Sequence, residues 1–183
     1  IKSMEDHTQL DAALTSMSTY DWVVFASANG VRETFERLEQ LNLDARVFGG
    51  TKVCAIGPVT AAALKERGIL ADLKPRESMS EAMVTGLAEG GINGKSVLLL
   101  RAEAGRDELS QGLSREGALV KDVAVYRTVL PEESREVVRD LVAEDGIDVV
   151  AFTSSSTVSN LVALLGGDAT ALKGKTLACI GSI

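Results

Sequence analysis

Histidine is almost missing from this 183-residue chain: His7 is the only one, and there are just two cysteines, Cys54 and Cys179. No Cys/His cluster exists, so the ligand set of a zinc site is not there. A Ser-His-Asp triad would have to recruit His7 from the start of the chain, which removes that chemistry from consideration. Both cysteines lie in apolar, strand-like runs and read as buried, reduced thiols of a cytoplasmic protein. No run of about 18 apolar residues occurs, so no membrane-spanning segment is expected. The opening IKSMEDHTQL has no basic stretch leading into an apolar one and does not read as a signal peptide. It begins with Ile rather than Met, and the parent chain is expected to start earlier. Only three prolines occur, and no low-complexity linker interrupts the chain. Positive charge is in deficit: 19 Lys and Arg stand against 26 Asp and Glu, a net charge of −7. That excludes a broad basic face for nucleic acid. It leaves room for an anionic small molecule, which local arginines and backbone amides can hold on an acidic protein. There is no G-x-G-x-x-G. The segment GINGKS at 91–96 imitates a phosphate loop, but Glu89 stands where its first glycine belongs, and the segment precedes its strand. No carboxylate pair stands out as an acid/base couple, and no cofactor motif is present.

What the chain does have is alternation. Residues 21–27 (DWVVFAS), 52–57 (KVCAIG), 96–101 (SVLLLR), 120–129 (VKDVAVYRTV), 148–154 (DVVAFTS) and 176–181 (TLACIG) read as strands. Strands this uniformly apolar belong to a parallel sheet covered on both faces. Between them the period changes to helical. Val31, Phe35, Leu38 and Leu41 share one helix face, with Arg32, Glu33, Glu36 and Arg37 on the other. Pro58 suits the first turn of an Ala-rich helix over 58–67, and Gly68 suits its stop. The run SMSE at 78–81 matches a capping box for a helix through Leu87. Further helices are expected over 106–115, from Pro131 through Val142, and around 158–165. The β-α-β order makes this an α/β fold with right-handed crossovers.

The chain also repeats itself. DWVVFAS at 21–27 aligns with DVVAFTS at 148–154, 127 positions on, and VCAIG at 53–57 aligns with LACIG at 177–181, 124 positions on. A repeat of this length means duplicated domains, not a solenoid. The second copy stops one strand into its second unit; by analogy with Gly57-Pro58-Val59-Thr60, a threonine is expected directly after Ile183 in the parent chain.

Ligands of open α/β sheets sit beyond the carboxyl ends of the strands. Ser27, Thr60, Arg101, Tyr126 and Ser154 fall at or just past such ends. Small residues there let a ligand approach the backbone, and helix starts offer free N–H groups to an anion. Taken singly, Ser27, Asn29 and Ser154 are ordinary helix caps; the recurrence of the serine in both copies is what raises it above that. Thr60 reads equally as a first-turn threonine, and Tyr126 as a half-buried strand residue or as a phenol able to donate a proton. Arg101, Arg106 and Arg127 could pair with carboxylates.

Together, VVFASANGV, IGPVTAAAL, LLLRAEAGRDEL, GALVKDVAVYRTV and VVAFTSSSTV, in this order and spacing, resemble the uroporphyrinogen-III synthase family over nearly the whole chain. The family commonly has Thr before the first serine, where Ala26 stands here. The resemblance implies two similar three-layer α/β/α domains with parallel sheets, joined by a strand-like two-segment hinge. Residues 1–130 form the continuous domain, and residues 131–183 form part of the second, whose N-terminal strand and C-terminal elements lie outside this sequence. It implies cyclisation of the linear tetrapyrrole hydroxymethylbilane, with loss of water and inversion of the terminal ring through a spiro intermediate, without metal or cofactor. A monomer is expected. Tyr126 aligns with the family's tyrosine, proposed to assist departure of the hydroxyl. Ser27, Ala28, Asn29, Thr60, Arg101, Ser154 and Ser155 are expected to contact the substrate, which carries eight carboxylates. The alternative is a non-catalytic anion- or tetrapyrrole-binding module of the same fold, since fold alone does not fix function; Tyr126 favours the enzyme.

Overall fold

Strands without a polar side have no face to turn to water, and the computed structural model buries those before residue 128 in a sheet sandwiched between helices. It describes every residue except 78, 106, 144, 145 and 181–183. Two units divide the chain, Ile1–Thr128 and Val129–Ile183. The first contains, in order, β1 (Lys2–Ser3), α1 (Thr8–Thr15), β2 (Trp22–Phe25), α2 (Ala28–Gln40), β3 (Lys52–Ala55), α3 (Pro58–Glu66), α4 (Ser80–Glu89), β4 (Ser96–Ala102), α5 (Glu108–Arg115) and β5 (Leu119–Arg127). Its sheet runs β1-β5-β4-β2-β3, parallel throughout except for the antiparallel edge strand β1.

Alternation along the strands sorts the core into two layers. Val23, Phe25, Leu98, Leu100, Val53 and Val123 turn to one face, where they meet Leu14 of α1, Val31, Phe35 and Leu38 of α2, and Leu64 of α3. Trp22, Val24, Cys54, Val97 and Leu99 turn to the other, against Met83 and Leu87 of α4 and Leu109 and Leu113 of α5. Leu98, Leu99 and Leu100 are fully buried on alternate faces, so truncating any one to Ala costs about 2–5 kcal/mol. The helix ends follow local chemistry. Pro58 opens α3. At its far end Gly68 takes φ +82°, with Ile69 N–H bonded to Leu64 C=O and Gly68 N–H to Lys65 C=O, a Schellman stop.

One irregularity sits in β5. Leu100 pairs with Val123 and Arg101 with Ala124, but Ala102 pairs with Tyr126, so Val125 is an extra residue, a β-bulge. Simple alternation from Val123 would send Val125 to the α2 face and Tyr126 away from it. The bulge leaves both buried in the α2-side layer.

The second unit carries α6 (Arg135–Ala143), β6 (Val149–Phe152), α7 (Ser155–Leu164) and β7 (Thr176–Cys179). Its parallel register runs from Val149↔Thr176 to Phe152↔Cys179. These are the positions 127 and 124 residues beyond the Trp22↔Lys52 to Phe25↔Ala55 pairs of β2 and β3. Val142, Leu165 and Leu172 form its small core, with Val138, Val150 and Leu161 against them.

Four expectations need correction. Cys179 is exposed, unlike Cys54, because among the described residues no element covers β7. Glu33 is not on the solvent face of α2: it is 7% exposed, because Ser3 on the edge strand donates its hydroxyl to it at 2.5 Å. The residues after Pro131 form a 3-10 turn, Glu132–Ser134, before α6 begins. The N-cap of α4 is Met79, without a side-chain cap bond, and Ser78 lies outside the described residues. No helix among the described residues is long and apolar enough to cross a membrane.

Candidate functional site

At the carboxyl end of β2 the chain must turn at once into α2, and Ser27 makes the turn. Its extended backbone leads into the helix, and its hydroxyl accepts the Gly30 N–H at 3.0 Å. The same oxygen lies 3.0 Å from the Tyr126 phenol oxygen, 99 residues away in sequence. The β5 bulge is what brings the phenol to this side. Tyr126 is 7% exposed. Either hydroxyl can be the donor of this bond, and both arrangements leave the pair one hydroxyl proton directed elsewhere: the serine's when the phenol donates, the phenol's when the serine does. Helix geometry leaves the amides of Ala28 and Asn29 in the first turn beside it without intrahelical acceptors. Two residues expected to share a site from strand-end position alone are thus in direct contact.

Further along α2 comes a charged group assigned to the solvent face by helical spacing. Arg32 donates to buried Glu33 at 2.8 Å and lies 3.6 Å from Glu36. Its guanidinium is pushed above the ordinary arginine value, chiefly by the Glu33 hydrogen bond and in small part by Tyr126. Burial acts to raise the Glu33 carboxyl, but bonds from Ser3 and Arg32 outweigh it and hold it below the usual range. Ser3 also pairs through its backbone with Tyr126, so Glu33 is tied to the strand that borders Tyr126. A two-residue edge strand gives too short a pattern for this to be read in advance.

The other expected residues belong to other elements. Thr60 occupies the first turn of α3, beyond the end of β3, and is 3% exposed. Ser154 caps α7 with a full capping box to Thr157, and its hydroxyl lies 2.9 Å from that of Ser156. Ser155 is the first residue of α7 and is exposed. Arg101 is engaged within the protein. Its Nε donates to both Asp122 oxygens at 2.8 and 2.9 Å, one terminal nitrogen donates to Gly105 C=O at 2.6 Å, and the other to Asp107 at 3.0 Å. Its fork is occupied by the protein. Arg127 pairs with Glu5, and Arg106 lies outside the described residues. Among the described residues no group of three or more His, Cys, Asp or Glu could hold a metal. A groove of about 330 Å³ between α4 and α5 lies on the opposite face of the sheet. Glu81, Glu108 and Glu116 line it against the single Arg115, a poor setting for an anion.

A family model described as uroporphyrinogen-III synthase HemD matches residues 1–183. The chain belongs to the uroporphyrinogen-III synthase family. The family resemblance extends to curated relatives. A uroporphyrinogen-III synthase from Synechococcus elongatus is 32% identical over 182 residues, covering 94% of this chain and 67% of that protein. The porphyrin biosynthesis protein HemD of Ruminiclostridium josui is 29% identical over 170 residues, covering 93% of this chain and 33% of that protein. The chain therefore spans a third of one of these relatives and about two thirds of the other. Solved structures share the fold. A uroporphyrinogen III synthase mutant from Thermus thermophilus has a TM-score of 0.64 at 19% identity, covering 96% of this chain and 71% of that one. The Helicobacter pylori synthetase has a TM-score of 0.62 at 20% identity, covering 90% and 70%. In this uroporphyrinogen-III synthase family member, the Ser27–Tyr126 pair is where two hydroxyls meet the amides of a helix start.

Proposed function

We propose that the protein is a uroporphyrinogen-III synthase, converting hydroxymethylbilane to uroporphyrinogen III and water. The observation that carries this reading beyond family membership is the direct contact of Tyr126 with Ser27 at the start of α2. The free hydroxyl proton of the pair passes to the leaving hydroxyl as its C–O bond breaks, and water departs. Positive charge left on the pyrrole is intercepted by the far end of the chain. The terminal ring inverts through a spiro intermediate, and the proton lost when the last pyrrole regains its aromaticity returns to the pair. General acid assistance of this kind contributes about 10²–10⁴-fold. The cationic intermediate is reactive in itself, so holding the substrate in the folded geometry matters more than strong acid or base groups. Ser27, the amides of Ala28 and Asn29, and Arg32 hold carboxylates beside the phenol. Thr60, Ser154 and Ser155 hold others at their own helix starts. Arg101 leaves the set of substrate contacts, because Asp122, Gly105 and Asp107 already engage all three of its nitrogens.

The test is product identity. The full chain is supplied with hydroxymethylbilane and the isomers are separated. Type I product forms spontaneously by closure without inversion, so predominance of type III supports the enzyme. Type I at the uncatalysed rate, with the bilane nevertheless bound, overturns it in favour of the binding module.

A further inference from the structure

Arg101 ends the regular part of β4. Its rung, Arg101↔Ala124, is the last before the bulge, and the next pairs Ala102 with Tyr126. From this position the side chain, 16% exposed, reaches both flanks of the irregularity. On the β5 side it binds Asp122, two residues before Ala124. On the β4 side it donates to Gly105 C=O and, at 3.3 Å, to Ala102 C=O, curling the chain back on itself. Within that curl the Glu103 N–H donates to Tyr126 C=O at 2.8 Å. Gly105 is shaped for the contact: a Cβ there would stand 2.9 Å from an Arg101 terminal nitrogen and 3.0 Å from Ala102 C=O. A bulge is a local choice among registers, and nothing in the apolar pattern of β5 selects it over straight pairing.

We propose that Arg101 is the positioning residue for Tyr126: its guanidinium pins the β5 bulge from both strands and thereby aims the phenol at Ser27. This rests on the reading of Tyr126 as the proton donor. Lysine keeps the charge but has one nitrogen, which cannot serve Asp122, Gly105 and Asp107 together. Gly105→Ala reaches the same end from the other side, by displacing the guanidinium without altering it.

The experiment combines kinetics with the signal of the phenol itself. In both Arg101→Lys and Gly105→Ala, kcat for type III formation falls about tenfold, since misplacement of a catalytic group is costly, while KM stays within about twofold. In the Tyr126→Phe background Arg101→Lys adds no further loss, because its target is gone. Labelling tyrosine Cζ with 13C gives only two signals, Tyr20 and Tyr126; that of Tyr126 shifts in both variants and that of Tyr20 does not. A raised KM with unchanged kcat makes Arg101 a substrate ligand and overturns the proposal. So does an unshifted Tyr126 signal in a folded variant, or a loss that simply adds to that of Tyr126→Phe. Should Arg101→Lys fail to fold, Gly105→Ala decides by the same readouts. If Tyr126→Phe itself retains full activity, the catalytic reading of the phenol fails, and the carbon signal still decides whether Arg101 positions it.

Discussion

Replacing Ser27 with alanine deprives two groups of one partner. The Gly30 N–H loses its cap acceptor, and the Tyr126 phenol, 7% exposed, loses the hydroxyl 3.0 Å away. Loss of an N-cap costs about 1 kcal/mol, and a buried hydroxyl left unpaired about 1–3 kcal/mol. Ser27→Ala is therefore expected to destabilise the first unit by about 2–4 kcal/mol. Tyr126→Phe leaves Ser27 bonded to Gly30 and costs about 1 kcal/mol. In the double variant no phenol remains to be stranded, so its cost falls about 1–3 kcal/mol short of the sum. Urea denaturation reads this directly, because Trp22 is the single tryptophan and sits buried in β2 of the same unit. Its fluorescence follows that unit alone. Costs that add to within about 0.5 kcal/mol refute the contact as an energetic pair.

Further outcomes are expected. Tyr126→Phe lowers type III turnover by about 10²-fold or more with the Trp22 transition intact; unchanged turnover removes the phenol from the reaction. Ser154→Ala, at the more exposed cap of α7, costs about 1 kcal/mol, seen as faster amide exchange in α7 without movement of the Trp22 midpoint. Arg37 donates to both Asp11 oxygens at 2.6 Å and holds that carboxyl below its ordinary value. The resulting stability is complete above the unfolded carboxylate pKa and is lost as pH falls through the folded one, below about pH 4. Asp11→Asn flattens that acid limb in a pH series of urea midpoints. Burial pushes the Cys54 thiol up to about 12, whereas Cys179 is exposed. A thiol reagent at neutral pH is expected to label one cysteine in the native protein and two in urea.

The parts legible in advance were those set by local rules. VVF, SVLLL and DVVAF read as strands because each holds a short, unbroken apolar run. Ser27 and Ser154 read as caps because a hydroxyl there meets a helix amide, and the repeat gave the shared register of β2/β3 and β6/β7. What stayed hidden depends on residues far apart in the chain. Glu33 looks solvent-facing by spacing along α2 and is buried only because Ser3 runs past it. Arg101 sits where a ligand residue would sit, yet its partners Asp122 and Asp107 come from β5 and the start of α5. Cys179 lies in a run as apolar as that of Cys54, but burial is decided by what packs over a strand, and apolarity alone does not supply the cover.

Inward and outward positions along a strand form a two-letter code, and the extra residue in β5 shifts its reading frame by one. Deleting Val125 removes the shift: Tyr126 then follows Ala124 directly and takes the slot opposite Ala102 that it already occupies. Arg127 keeps its side as well. The shortened strand forfeits the packing of one buried valine against α2 but still offers its phenol to Ser27. Relatives with one residue fewer at this point are therefore expected to reach the same geometry with a straight strand. An alignment that counts residues through β5 without allowing that gap will set their tyrosine one position out of step with Tyr126.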